Sequence, residues 1–255
     1  MRRAVLPTVT LLGLLLAWEL LVRLAGIPEF TLPAPSRVAQ SLWEHAGSLA
    51  ASWWVTLKIT FGALALACAG GVAIAVAFAL LPALERALLP VAVVLQVTPI
   101  VAVAPLILIY VESTTAALLL CAWIVAFFPI LSNTVTGLRA TDAQLRALFT
   151  LYRASRWQRL ALLRAPSALP YFLAGLRISG GLALIGAVTA EMVAGAAGRD
   201  TGLASRILEA SFRTETPKMF AALVLLVATG VMIFAATSAL SRVLLARGFV
   251  GSESD

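Results

Sequence analysis

Charged residues are scarce in this chain. Lysine, arginine, aspartate and glutamate make up 12% of its 255 residues, whereas 61% are hydrophobic. This composition excludes a soluble domain, whose residues are normally about a quarter charged. The sequence therefore predicts an integral membrane protein, and its length leaves room for about six spans of roughly 20 residues each.

Residues that carry catalysis and metal binding are also rare, since the chain has one histidine and two cysteines. His45 has no second ligand at metal-binding spacing, and Cys68 and Cys121 lie in apolar runs, where they are interpreted as packing residues. The phosphate-binding pattern G-x-x-x-x-G-K-[ST] does not occur, so ATP binding by that route is excluded. We therefore predict no catalytic site, no metal and no bound cofactor.

Long uncharged intervals divide the chain into predicted spans. The first, at about 5–25, is expected to be a retained N-terminal anchor, because it offers no clear cleavage site of a signal peptide. A span is predicted between about 170 and 194. Further spans are predicted in the uncharged intervals that lie between residues 58 and 85, 86 and 112, 112 and 139, and 218 and 242. Between the first two spans, an amphipathic helix is predicted from Ser36 onward, with interfacial tryptophans at Trp43, Trp53 and Trp54.

The net charge of +7 comes largely from span ends and one loop. Lipid phosphates and topology explain basic residues there, so membrane lipid is expected as a partner and nucleic acid is not. The loop from Arg139 to Arg164 sets six arginines against one acid, Asp142. The positive-inside rule places it in the cytoplasm, and with six spans both termini lie there too.

This loop has the pattern of two short helices. Leu145, Leu148, Phe149 and Tyr152 follow helical spacing and form an apolar stripe that requires burial. Ser155 and Gln158 form a capping-box pattern, which predicts a second helix carrying Trp157. The stripe predicts a docking surface for a cytoplasmic protein; the alternative is a basic loop whose helices rest on the lipid surface.

The third predicted span contains Pro90, Pro99 and Pro105. Because proline frees backbone groups that lipid cannot satisfy, this helix must bend against neighbours or line a cavity. Gln96, Thr98 and Pro99 are therefore candidates for a pathway wall, and a kinked packing helix is the alternative. Glu191, near the end of the fifth span, is interpreted either as an intramembrane carboxylate of a pathway or as a side chain that snorkels to the interface.

The segments FTLPAPSRVAQSL, QVTPIVAVAPLILIY, FFPILSNTVTGLRATD, ASRWQRLALLRAPSALPYFLAGLRIS and AEMVAGAAG occur in this order. Together they resemble the permease subunits of bacterial ABC importers of the nitrate/sulfonate/taurine type. The resemblance implies an all-α membrane protein with six transmembrane helices of the type I permease kind, in the bacterial inner membrane. It implies one permease domain over 1–255, with an anchor at 1–30, a five-helix core at 54–247 and a cytoplasmic coupling loop at 139–167.

The same resemblance implies partners. They are a second permease copy, identical or not, a periplasmic solute-binding protein, and cytoplasmic ATPase subunits that hold ATP and Mg. The residues expected to couple to the ATPase are Leu145, Leu148, Phe149, Tyr152, Arg153, Ala154, Ser155 and Trp157.

Two parts of the loop, a three-residue motif and the turn that follows it, depart from the family pattern. The family's Glu-Ala-Ala falls on residues 147–149, and its turn glycine falls on Arg153. Glycine enters the left-handed conformation that a side chain resists, so arginine here predicts a reshaped contact. The C-terminal stretch ASRILEASFRTETPKMFAALVLLVATG most resembles branches that carry pyrimidine-type vitamin precursors or riboflavin, while sulfonate, taurine or nitrate-like anions remain open. A self-sufficient channel or secondary transporter, and a membrane scaffold, are the alternative functions.

Overall fold

The computed structural model describes residues 2–195 and 201–248, and within them the chain forms eleven α-helices, one π-helical segment and no strand. In chain order these are α1 (Arg2–Leu24), α2 (Pro35–Glu44), α3 (Ala46–Leu80), α4 (Pro82–Val97), α5 (Ile100–Tyr110), α6 (Thr114–Arg139), α7 (Ala143–Leu151), α8 (Arg156–Arg159), the π segment (Leu160–Arg164), α9 (Ala165–Ala194), α10 (Leu203–Phe212) and α11 (Thr216–Gly248). The predicted all-α class is confirmed.

Four helical runs among the described residues are long and apolar enough to cross a membrane. They are Ala46–Leu80, Thr114–Arg139, Arg156–Ala194 and Thr216–Ala246. Helices α4 and α5 form a pair bent by 100°, which makes a fifth span if the pair crosses as one. The N-terminal helix α1, which carries Glu19 and Arg23, is not among these runs. The count of six spans therefore stays a prediction.

Helix boundaries differ from the charge-based intervals at several places. Helix α3 begins at Ala46, well before Lys58, because a helix continues past the hydrocarbon layer wherever its residues favour it. The amphipathic helix predicted from Ser36 is α2; Trp43 and Trp54 are exposed and Trp53 is half-buried. Their position at a lipid interface stays a prediction.

By the density of internal contacts the chain divides into two compact units, Met1–Thr56 with Ala194–Ala228, and Leu57–Val193 with Thr229–Asp255. In the first unit, Trp18 stacks at 5.9 Å on Phe220, and the Glu19 carboxylate accepts hydrogen bonds from the Ser36 backbone amide (3.0 Å) and hydroxyl (2.8 Å). These contacts join α1, α2 and the start of α11. The prediction of one permease domain over 1–255 is not tested by this division.

The second unit is built on a close approach of α6 and α9. A Cβ atom added at Gly175 would meet the Pro129 carbonyl oxygen at 2.7 Å, and one added at Gly186 would meet the Ala122 Cα at 2.9 Å. The Ser179 hydroxyl donates to the Ala126 carbonyl at 2.6 Å across the same interface. Small residues let membrane helices approach until such contacts form. Cys121 is buried within α6, as a packing residue should be.

Candidate coupling surface and solute cavity

The first helix of the arginine-rich loop, α7, has an N-cap that the sequence analysis missed. The Asp142 carboxylate accepts hydrogen bonds from the backbone amides of Gln144 (2.7 Å) and Leu145 (3.1 Å), which satisfies two of the free donors at the helix start. An aspartate directly before an apolar-periodic segment is a known start signal and could have located this cap. The loop is therefore a structured element.

The predicted apolar stripe lies on the surface of α7, and the helix buries none of its own residues. Leu145, Leu148 and Tyr152 are exposed, the last at 78%, and Phe149 is half-buried. Leu151, at 79% exposure, was missed because it lies six residues after Leu145, outside the i, i+3, i+4, i+7 series counted from that residue. The described part of the chain thus leaves an apolar surface uncovered, which is typical of an interaction site.

The turn after α7 keeps the left-handed backbone despite carrying arginine. Arg153 has φ +52°, its amide donates to the Thr150 carbonyl (3.0 Å), and the Ala154 amide donates to the Phe149 carbonyl (3.0 Å). These hydrogen bonds hold the left-handed conformation although a side chain resists it. The expected reshaped contact with a partner stays a prediction. What arginine changes is the side chain presented there.

The predicted capping box is present at the start of α8. The Ser155 amide donates to the Gln158 side chain (2.8 Å), and the Gln158 amide donates to the Ser155 hydroxyl (3.2 Å). Trp157 is exposed, whereas Leu160 is buried. The second helix is four residues long and passes through the π segment directly into α9. Single π turns inside α-helices occur frequently at functional sites.

Both ends of the loop are tied to the corner between α3 and α4. Glu85, in the first turn of α4, forms an ion pair with Arg139, the last residue of α6. The Arg164 guanidinium donates to the Ala79 carbonyl (3.0 Å) in the last turn of α3. These groups and Arg146 line a cavity of about 250 Å³.

Three of the predicted pathway residues lie together at the break between α4 and α5. Gln96, Thr98 and Pro99 line a cavity of about 300 Å³. The other walls come from neighbouring residues of α4 and α5, from α6 and from α9, namely Leu95, Val97, Ile100, Ile124, Val125, Pro129 and Leu182. None of these side chains carries a charge. The kink expected from the prolines is a full break at Thr98–Pro99, where the Thr98 amide (3.1 Å) and hydroxyl (2.7 Å) both donate to the Val94 carbonyl.

Glu191 is separate from this cavity. It lies in α9 with 0% exposure and is not among the cavity's lining residues. The snorkelling interpretation is wrong, because a fully buried carboxylate does not reach an interface. Its assignment to a pathway stays a prediction.

No helix was predicted between the fifth span and the uncharged interval at 218–242, and α10 lies in this segment. Arg206 donates to the Ser52 hydroxyl (3.0 Å) and pairs with Glu209 (2.7 Å), which also pairs with Arg213 (3.0 Å). The hydrogen bond from Arg206, opposed by partial desolvation and reinforced by the attraction of both arginines, lowers the pKa of the Glu209 carboxyl. The mixed charges of this segment thus pair with each other along one helix. Residues 196–200, at the start of the segment, lie outside the described residues.

The comparisons with known proteins agree with this architecture. The family profile of binding-protein-dependent transport system inner membrane components matches residues 67–247. The chain belongs to this family and is therefore a multi-pass inner-membrane permease of the ABC transporter class.

Three of the individual relatives match between 77% and 95% of the chain. The riboflavin transport system permease protein RibX of Chloroflexus aurantiacus is 36% identical over 93% of this chain and 88% of its own length. The formylaminopyrimidine transport permease protein ThiX of Halalkalibacterium halodurans is 32% identical over 95% of this chain and 96% of its own. The taurine transport system permease protein TauC of Escherichia coli is 29% identical over 77% of this chain and 74% of its own.

Proposed function

We propose that this chain is the transmembrane permease subunit of an ATP-driven importer, that it works as a dimer of permeases, and that its 139–167 loop binds a separate ATPase subunit. The observation that carries the docking part is the uncovered apolar surface of α7 in a loop with six arginines. Leu151 lies about 100° round the helix from Tyr152. A protein groove buries two sides of a helix, whereas a lipid surface buries one.

The dimer alternates between states that open to opposite sides of the membrane. ATP and Mg bind to the ATPase, closure of the ATPase dimer moves the docked loop, and the two permeases rock about their shared interface. A solute-binding protein delivers the solute on the periplasmic side. The six arginines of the 139–167 loop support a cytoplasmic position for this loop and for both termini. A reporter fused to the C-terminus that is active only in the periplasm would contradict this orientation.

The proposed solute is a neutral or weakly charged heteroaromatic compound of the riboflavin or pyrimidine type. Two observations support this class over sulfonate or nitrate-like anions. Relatives named for riboflavin and formylaminopyrimidine transport match nearly the full chain at 36% and 32% identity, against 29% for the taurine permease. The cavity at the α4–α5 break offers an amide, a hydroxyl and apolar walls but no cation, and an anion without a cationic partner is costly to desolvate.

Docking is tested by co-purification with the ATP-binding subunits of the source genome, each co-expressed with the tagged permease. Tyr152→Asp places a charge in the proposed interface, and an aromatic anchor of this kind contributes about 2 kcal/mol or more, or roughly thirtyfold in affinity. We expect the variant to reach the membrane in normal amounts and to lose its ATPase subunit. Trp43→Asp is the matched control, because Trp43 is similarly exposed at 85% but lies on α2.

Two results contradict the docking part of the proposal, and two others contradict the energy source and the solute class. If no ATP-binding subunit associates with the unaltered chain, or if Tyr152→Asp retains it as the control does, α7 is not the docking surface. Uptake of riboflavin or a pyrimidine into vesicles that lack ATP would instead favour a self-sufficient transporter. The solute class is tested in proteoliposomes with the assembled complex and its binding protein, and ATP-dependent uptake of taurine or nitrate alone would overturn it.

A further inference from the structure

Glu85 occupies an unusual position for a carboxylate. It lies in the first turn of α4 with only 7% exposure. One carboxylate oxygen pairs with Arg139, while the other, Oε1, is buried without a hydrogen-bond partner. A carboxylate has about four acceptor sites, and a buried acceptor that stays empty costs about 1–3 kcal/mol. No protein group among the described residues donates to that oxygen, so it can accept a donor that approaches through the neighbouring cavity.

The residues around Glu85 connect the 139–167 loop, which carries the docking surface, to helix α4, which leads to the solute cavity. Arg139 begins the 139–167 loop, and Arg146, on α7, lines the same cavity as Glu85. Arg164 ties the far end of the loop to α3 through the Ala79 carbonyl. The α3–α4 corner therefore receives both ends of the loop that carries the docking surface.

The opposite end of α4 is the solute cavity. Helix α4 runs from Pro82 to Val97 as one helix, about 24 Å at 1.5 Å per residue. Glu85 lies near its first residue and Gln96 near its last. Helix α4 is continuous through Pro90, so a displacement at Glu85 is carried along it to the break at Thr98–Pro99.

We infer that Glu85 is a positioning residue that transmits movement of the 139–167 loop to α4, and so to the solute cavity, by holding Arg139 on one oxygen and accepting Arg146 on the other when α7 moves. The cavity provides the room, and the empty oxygen provides the second binding position. Such re-pairing gives the link two discrete arrangements, which is what transmission between distant sites requires. The inference rests on the proposed function insofar as it needs an ATPase to move the loop.

The test uses the complete permease–ATPase complex in lipid nanodiscs. The reporter is Gln96→Cys in a Cys68→Ala, Cys121→Ala background, labelled with a small water-soluble maleimide without nucleotide and after trapping with ATP and vanadate. With Glu85 present, we expect labelling rates in the two states to differ by about fivefold or more. With Glu85→Gln, which keeps the shape but not the charge, the difference should fall to about twofold or less, while the ATPase subunit still co-purifies.

Further variants separate transmission from simple destabilisation. Arg146→Gln leaves the Arg139 pair intact and removes only the present hydrogen bond from Arg146 to the Thr141 carbonyl (2.9 Å). We therefore expect a nucleotide-free labelling rate close to that of the unaltered chain and a clear change in the trapped state. The double variant Arg139→Gln, Glu85→Gln should lose no more of the difference between the two labelling rates than either single variant, because the effects of groups that act as one unit are not additive. Glu29→Gln, which breaks the exposed Arg37–Glu29 pair elsewhere, is the control and should change nothing.

Each outcome is decisive. If the labelling rate in Glu85→Gln differs between the two nucleotide states as much as in the unaltered chain, the inference is overturned but the proposed function is not affected. Loss of the ATPase subunit from Glu85→Gln also overturns it, since Glu85 would then act in docking or folding. Should Glu85→Gln fail to fold, Arg146→Gln alone decides: an unchanged trapped-state rate refutes the re-pairing. Failure of the unaltered chain to bind any ATPase refutes the proposed function itself.

Discussion

The contact between α6 and α9 gives a prediction whose size follows from the structure. In Gly175→Ala the new methyl group would lie 2.7 Å from the Pro129 carbonyl oxygen and 3.0 Å from the Asn133 Cβ. The nearest atom belongs to the backbone and cannot turn aside, so the helices must separate by several tenths of an ångström. Overpacking of this kind costs about 1–3 kcal/mol.

The same separation weakens a hydrogen bond one turn away. The Ser179 hydroxyl donates to the Ala126 carbonyl at 2.6 Å across this interface, and bonds between membrane helices contribute about 0.6 kcal/mol on average. The combined loss is about 2–4 kcal/mol. For a protein of this size each kcal/mol corresponds to about 2–4 °C, so the melting temperature should fall by roughly 5–15 °C.

The assay is thermal unfolding of the detergent-purified protein, measured as the temperature at which half of it remains monodisperse. Gly181→Ala is the matched control, because Gly181 lies on the same helix, is exposed, and an added Cβ meets nothing within 4 Å. It should be neutral or slightly stabilising, by at most about 1 kcal/mol from helix propensity. Equal melting temperatures for the two variants would refute the close approach of α6 and α9.

Three further predictions concern the coupling turn, the cavity and α10. Arg153→Gly removes the strain of a left-handed side chain, about 1–2 kcal/mol, so the isolated permease should melt at a higher temperature while ATPase binding weakens and becomes less salt-sensitive; stronger binding would mean that the guanidinium has no acidic partner. Thr98→Cys and Pro99→Ala should each change ATP-dependent uptake with the ATPase subunit still bound, and uptake equal to the unaltered complex would assign the break to packing. The pKa of Glu209 is lowered in the folded protein, so its ion pairs stabilise the fold at a pH above its unfolded-state pKa of about 4.3, and this stability is lost as the pH falls through the lower folded-state pKa. The melting temperature of Glu209→Gln should therefore depend less on pH between about 5 and 3 than that of the unaltered chain. Identical pH profiles would show that the ion pairs contribute nothing.

Sequence alone was sufficient for features that depend on local pattern. The membrane class follows from a shortage of charge that no tertiary contact alters, and the helices around the 152–155 break follow from spacing and a capping box, which involve residues within one or two turns. The grouping of Gln96, Thr98 and Pro99 was predictable for the same reason, because a proline frees nearby backbone groups wherever it lies in a span.

Only the tertiary structure decided which distant groups meet. In the sequence, Glu85 is an ordinary charge at a span end, and Arg139 and Arg164 are positive-inside residues. Folding brings all three to one corner, because the C-terminal ends of α3 and α6 and the N-terminal ends of α4 and α9 lie there. Arg206 of α10 donates a hydrogen bond to the Ser52 hydroxyl of α3. Glu191 is fully buried although its sequence position suggested an interface. Pairing and burial depend on the packing of helices far apart in the chain, and a local pattern carries no information about such neighbours.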